Sequence, residues 1–224
     1  KKINKNISFI LEPSDFLSII GPNGSGKSTL IKLITSEILP TSGLIKFLGS
    51  QLKDWHLNSL AKRRSVLSQS SIVSFPFTVL DIIKMGRFPY NQEGSLTNKE
   101  KKYCYDLIDI FDLTDFINAS YMTLSGGEKQ RVQLARTFIQ IWNDNNYDQH
   151  LIVLDEPTNS LDIKHQLSLF DLLISLNKKG LTIINVLHDL NHALYYSTKT
   201  LMMRKGELIH KGLTNEILNN KNLE

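Results

Sequence analysis

Apolar residues recur along this chain with two periods, and the switch between them marks out its elements. Short continuous runs, "FLSII" at 16–20, "LIVL" at 151–154 and "TIINVL" at 182–187, read as strands buried on both faces. Residues 6–10 are expected to form another strand, separated from 16–20 by a "PSD" turn, and 44–48 and 65–68 two more. A period near 3.6 predicts helices over 27–36, 162–177 and 189–196, and one that follows Gly127 and ends near Trp142. From about 70 to 123 the pattern is mainly helical, broken by "FPF", "RFPY" and the polar "NQEGS". A hairpin around "RKGE" and a short terminal helix close the chain. Strand 151–154, helix 162–177, strand 182–187 and helix 189–196 make a βαβα unit, so the class is α/β with a largely parallel sheet and a helical insertion. The pattern contains no internal repeat and no long low-complexity segment.

One helix start departs from ordinary propensity. In "LSGGEKQRVQLAR", residues 124–136, two adjacent glycines open an amphipathic run, although glycine inside a helix costs about 1 kcal/mol relative to alanine. Ser125 followed by Glu128 is a capping box, so the helix begins here, with little side-chain bulk over its first N–H groups. Such a start suits an anion.

Composition narrows the class. With 224 residues, 41% hydrophobic and 21% charged, the chain can bury a substantial core, and no apolar run reaches the length of a membrane helix. A lone cysteine, Cys104, excludes an internal disulfide framework; with no signal peptide evident, a reducing, cytosolic setting is expected. The net charge of +4 comes from scattered basic residues, apart from "AKRR" at 61–64 and the opening "KK", without interleaved aromatics. No nucleic-acid partner is therefore expected; a solvated surface, or one beside an anionic membrane, fits better. The sequence opens at Lys1 without methionine and is expected to be a trimmed piece.

"GPNGSGKST", residues 21–29, satisfies the phosphate-loop spacing through Gly21, Gly26, Lys27 and Ser28, between a predicted strand and a predicted helix. Glycines are needed because successive N–H groups must turn inward around phosphate oxygens without an intervening side chain. Lys27 is expected to reach the β- and γ-phosphates, and Ser28 to bind Mg²⁺. Asp155 closes the strand of "LIVLDEP", where α/β sheets place ligand chemistry, and is expected to hold Mg²⁺, while Glu156 can polarise the attacking water as a general base. Alone, either acid is a surface carboxylate; beside a phosphate loop the functional reading prevails. Gln69, after an apolar strand, could approach Mg²⁺ and the attacking water; otherwise it is a solvated loop residue. His188, closing "TIINVL" before Asp189, is either a polar cap or a γ-phosphate contact on the same sheet edge.

The order and spacing of "GPNGSGKST", Gln69, "LSGGEKQR", "LIVLDEP", "SLD" and "LHD" resemble an ABC transporter ATP-binding subunit over nearly the whole chain. The resemblance implies a P-loop NTPase, RecA-like core over about 1–69 and 143–224, an N-terminal antiparallel β part and a helical subdomain over about 70–142 carrying the signature. It implies ATP and Mg²⁺ as ligands, with Gly21, Pro22, Asn23, Gly24, Ser25, Gly26, Lys27, Ser28 and Thr29 around the nucleotide, Ser28, Gln69 and Asp155 near the metal, and Glu156, His188 and Gln69 catalytic. It further implies a head-to-tail homodimer in which Ser125, Gly126 and Gly127 meet the nucleotide of the second subunit and Asp162 lies at the interface, which would explain the bare glycines.

The same resemblance implies two permease subunits, an indirect periplasmic or surface substrate-binding protein, and a peripheral position on the cytoplasmic face of the inner membrane. An adenine-stacking aromatic upstream of the first strands is expected to be missing, since Phe9 and Phe16 sit in strand patterns and read as core. "AKRRSVLSQSS", "FPFTV", "GRFPY", "RVQLAR" and "VLHDLNHALYYS" resemble the iron-chelate, haem and vitamin B12 importer branch, and "QIW" with the polar insertion after it resembles haem-importer ATPases. Ferric siderophore and cobalamin stay open as cargo, as does a soluble ABC ATPase. None of His56, His150, His165, His188, His192 and His210 belongs to a haem-binding motif. Residues 70–90 are expected to dock the permease, with Phe75, Phe77 and Phe88 either anchors there or core of the insertion.

Overall fold

The computed structural model describes residues 4–68, 75–90, 95–144 and 146–219. The elements follow in chain order: β1 (Phe16–Ile20), α1 (Lys27–Ile34), β2 (Lys46–Phe47), β3 (Ser50–Gln51), α2 (Leu57–Arg63), β4 (Arg64–Leu67), α3 (Val79–Met85), α4 (Asn98–Ile110), α5 (Gly126–Ile141), β5 (Leu151–Asp155), α6 (Ile163–Asn177), β6 (Thr182–Val186), α7 (Leu190–Tyr196), β7 (Lys199–Arg204), β8 (Glu207–Leu213) and α8 (Thr214–Ile217).

Among the described residues the main sheet has six strands in the order β4-β5-β6-β1-β7-β8, parallel throughout except for the terminal β7–β8 hairpin. Every residue of β1 and β5 is buried, as continuous apolar runs demand when helices cover both faces. Alternation along the strands divides the core. Phe16, Ile20, Ile152, Leu154 and Ile183 join α3 to α7 in one large apolar cluster, whereas Leu17, Ile19, Val153, Ile184 and Val186 pack with Leu30 and Ile31 of α1 on the opposite face. The helical insertion therefore shares a core with the sheet.

Two sequence expectations contract. Residues 6–10 form no strand: Ile7, Phe9 and Leu11 lay alternate side chains on the second cluster, but among the described residues this stretch has no ladder partner. Just before it, Lys5 N donates to the Gly206 carbonyl at 2.8 Å. The strand at 44–48 shrinks to β2, which pairs with β3 across a tight turn where Leu48 and Gly49 both take positive φ. Phe16 lies in the core and Phe9 packs half-buried against it, as expected of core aromatics.

The junction of α3, α4 and α5 rests on a buried ion pair. Arg87 Nε donates to Glu100 Oε1 at 3.2 Å, and Arg87 Nη1 to the carbonyls of Ile139 and Trp142 at 3.0 and 3.3 Å. Its guanidinium lies 3.8 Å from the Tyr90 ring centre. Glu100 also accepts from Thr97 N at 2.9 Å, completing the capping box of α4. One pair thus ties a helix end, a helix start and the last turn of α5.

Removing one partner leaves a buried charge unmatched. Arg87→Met should therefore lower stability in urea melts by about 3–5 kcal/mol, and adding Glu100→Gln, which keeps the cap but removes the stranded charge, should recover part of that loss. An additive double variant would contradict the pairing.

Candidate active site

The carboxyl ends of β5, β6 and β1, three adjacent parallel strands, gather the residues that the sequence analysis separated by more than a hundred positions. β1 runs into the loop 21–26, where Gly21, Gly24 and Gly26 all take positive φ. Gly21 is required sterically, and Gly26 by its φ of 102°. A Cβ at Gly21 would lie 2.2 Å from the Met203 carbonyl oxygen, and one at Gly26 would lie 2.3 Å from Asn4 Oδ1. Gly206 N, in the β7–β8 turn, donates to the Ser25 carbonyl at 2.8 Å, and Asn4 Nδ2 to the Gly26 carbonyl at 3.3 Å. The β7–β8 turn and the residue 4–5 segment thus close one side of the loop, a clasp with no signal in the sequence analysis.

Lys27 opens α1 and is buried, with Nζ donating to the carbonyls of Gly21 at 2.7 Å and Pro22 at 3.2 Å. Burial lowers its pKa, opposed by the nearby negative charges of Glu156 and Asp155. Pro22, Asn23 and Gly24 are exposed at the loop tip, Ser28 and Thr29 are half-buried in the first turn of α1, and the buried Ser25 Oγ lacks a hydrogen-bond partner. The loop ring is therefore drawn inward around its own lysine.

Asp155 ends β5 in a buried position, and its Oδ1 also lacks a hydrogen-bond partner. Burial, and next the charge of Glu156, push its pKa up to about 6, against the pull of Lys27 and His188. A buried carboxylate oxygen without a donor suits a hard cation. Among the described residues no three His, Cys, Asp or Glu side chains cluster to hold a metal. A hard cation here would take Asp155 Oδ1 as one of its oxygen ligands.

Glu156 follows with φ 53°, a conformation rare for a residue with an ordinary side chain. Its Oε1 lies 2.5 Å from His188 Nε2, just beyond β6, and its Oε2 accepts from Asn159 Nδ2 at 2.6 Å. The structure thus brings His188 and Glu156 together. Asn159 is the polar partner that the sequence analysis missed, although an Asn three residues beyond a strand-end acid is a turn signal. Gln69 lies outside the described residues.

At the start of α5 the capping box is formed: Glu128 N donates to Ser125 Oγ and Ser125 N to Glu128 Oε2. Ser125 and Gly126 are exposed. A Cβ on Gly127 would sit 2.8 Å from the Ser160 carbonyl oxygen, while one on Gly126 would meet Ser160 only at 3.8 Å. Gly127 is thus required by packing inside the chain, and only Gly126 is bare without an internal cause. Asp162 caps α6, accepting from His165 N at 2.9 Å, and His165 Nε2 reaches Asp112 Oδ2 at 3.3 Å. Phe75, Phe77 and Phe88 are 67%, 37% and 62% exposed, so they are not the core of the helical insertion.

Residues 4–159 match the family model described as ABC transporter. The chain is 37% identical to the Hemin import ATP-binding protein HmuV of Escherichia coli O157:H7, over 97% of this chain and 83% of that protein. Its identity to the protein of the same name from Rhodopseudomonas palustris (strain BisB5) is 36%, over 96% and 80%. Among solved structures it resembles the dimeric post-hydrolysis state of the ATP-binding cassette MJ0796 bound to ADP and Pi, with TM-score 0.81, 27% identity and coverage of 95% and 90%. It also resembles an inward-facing ABC transporter of the metal-chelate type, with TM-score 0.79, 29% identity and coverage of 98% and 80%.

Asp155 carries a pH-dependent penalty. Its folded pKa of about 6 lies above the ordinary 3.8, so between those values the folded chain holds the extra proton and stability falls as pH rises. Asp155→Asn should match the parent chain below the lower value and exceed it by about 3 kcal/mol above pH 7 in nucleotide-free urea melts. A difference independent of pH would contradict the assignment.

Proposed function

This chain belongs to the ABC transporter family, and on that premise we propose that it powers import of haem as the ATP-hydrolysing subunit of a membrane transporter. The ATPase reading is carried by one observation: Lys27, Asp155, Glu156 and His188 converge on one edge of a parallel sheet. The cargo reading draws on the hemin-import names of relatives that are 36–37% identical over nearly the whole chain.

In this reading the N–H groups of the loop residues 23–26 and the ammonium of Lys27 cradle the phosphates of ATP. Lys27 exchanges the carbonyls of Gly21 and Pro22 for phosphate oxygens, and Thr29 and Ser28 face the nucleotide from the first turn of α1. Ser28 and Asp155 would hold Mg²⁺, which neutralises charge on the β- and γ-phosphate oxygens when bound. Glu156 accepts the proton of the attacking water, and His188, hydrogen-bonded to its Oε1, orients that carboxylate and contacts the γ-phosphate. Gln69 is assigned the link between the metal and the permease side.

Two chains pair head to tail so that Ser125, Gly126 and Gly127 of one meet the nucleotide of the other, with Asp162 at the interface. The exposure of Ser125 and Gly126 supports this arrangement. Among the described residues no helix is long and apolar enough to cross a membrane, and the exposed phenylalanines 75, 77 and 88 would dock two permease subunits from the cytoplasmic face of the inner membrane. The mixed packing of α3, α4 and α5 supports a helical subdomain over about 70–142, with the core on either side. A substrate-binding protein outside the membrane would deliver the cargo.

Glu156→Gln removes the proton acceptor while keeping shape. It should retain ATP binding, lose roughly 100-fold or more in steady-state hydrolysis and accumulate as an ATP-bound dimer on size exclusion. Turnover like the parent chain would overturn the general-base assignment. For cargo, the subunit reconstituted in liposomes with its own permease and binding protein should drive ATP-dependent uptake of haem. Uptake of a ferric siderophore or cobalamin without haem would overturn the cargo assignment and leave the ATPase reading standing.

A further inference from the structure

Glu156 is held at both carboxylate oxygens, and one of the two holders belongs to none of the motifs discussed above. Oε1 lies against His188, whereas Oε2 accepts the 2.6 Å hydrogen bond from Asn159 Nδ2. An ionised carboxylate only accepts, so the amide nitrogen and not its oxygen must face it. Asn159 N also donates to the Glu156 carbonyl at 3.2 Å, closing a turn that begins on the positive-φ glutamate. Such a backbone is strained and persists only where its surroundings over-determine it. Here the turn and both side-chain bonds do so.

The segment carrying Asn159 is anchored in turn to the start of α5. Gln130 Nε2 donates to the Pro157 carbonyl at 3.0 Å, and the Ser160 carbonyl occupies the space that a side chain at Gly127 would need. Ser160 itself has φ 64°, and two residues later Asp162 caps α6. A continuous set of contacts therefore runs from Gly127 and Gln130 through residues 157–160 to Glu156 Oε2.

We propose that Asn159 is a positioning residue for ATP hydrolysis: its amide donor sets the orientation of the Glu156 carboxylate and ties it to the segment packed on the start of α5. The inference rests on Glu156 acting as the general base. Asn159 touches neither nucleotide nor attacking water in this role; it acts through Glu156.

Asn159→Ala and Asn159→Asp, made in the full chain, separate this role from turn formation. Aspartate serves turns as well as asparagine but offers no donor and sets a like charge against Glu156. Loss of the charge-assisted bond should lower kcat about 10-fold in Asn159→Ala with the KM for ATP within about twofold, and lower it further in Asn159→Asp. Combined with Glu156→Gln, Asn159→Asp regains a donor–acceptor pair and should yield the ATP-bound dimer as readily as Glu156→Gln alone, which also verifies folding. Near-normal turnover of Asn159→Asp, or a change confined to KM, would overturn the role of Asn159. Hydrolysis surviving Glu156→Gln would instead overturn the general-base reading beneath it.

Discussion

Parallel pairing of β5, β6 and β1 is the constraint on which the rest depends. A parallel sheet needs a crossover between neighbouring strands, so the chain leaves all of them at the same edge. Helices must cover both faces, which explains why these strands are apolar at nearly every position and why the polar chemistry is expelled to their ends. The loop 21–26, the Asp155–Glu156 pair and His188 sit at or just beyond the carboxyl ends of three adjacent strands. Their meeting is a consequence of topology.

At that edge, burial and charge oppose one another. Lys27 and Asp155 are both nearly removed from water, and burial alone disfavours the charged form of each. Their opposite signs offset part of the penalty, and Glu156 adds further negative charge beside them. The result is a site strained toward a ligand: an ammonium held by two backbone carbonyls, a carboxylate oxygen without a donor, and a glutamate in a left-handed conformation. A nucleotide with its metal would satisfy the first two together.

The signature segment shows how one local feature serves two demands. The capping box starts α5 wherever the glycines point, but the two glycines are not equivalent. Gly127 is smooth because the backbone of Ser160 passes within contact distance, which stitches α5 to the loop after β5. Gly126 has no such neighbour and lies exposed beside Ser125, which leaves the helix start open to something outside the chain.

Periodicity and motif spacing by themselves determined the α/β class, most of the strands and helices, the phosphate loop, the acid pair and the start of α5, because each of these is a local property of consecutive residues. Pairing was another matter: 6–10 has the alternation of a strand, yet only neighbouring backbone could have made it one. The clasp of Asn4 and Gly206 on the phosphate loop, the internal need for Gly127 and the grip of Asn159 on Glu156 were likewise decided by tertiary structure. Two of these contacts join residues more than twenty positions apart, and the third depends on a left-handed glutamate that no propensity favours. Hydrophobic pattern specifies which face of an element is buried, but not which polar group will lie within 3 Å of another once the faces have closed.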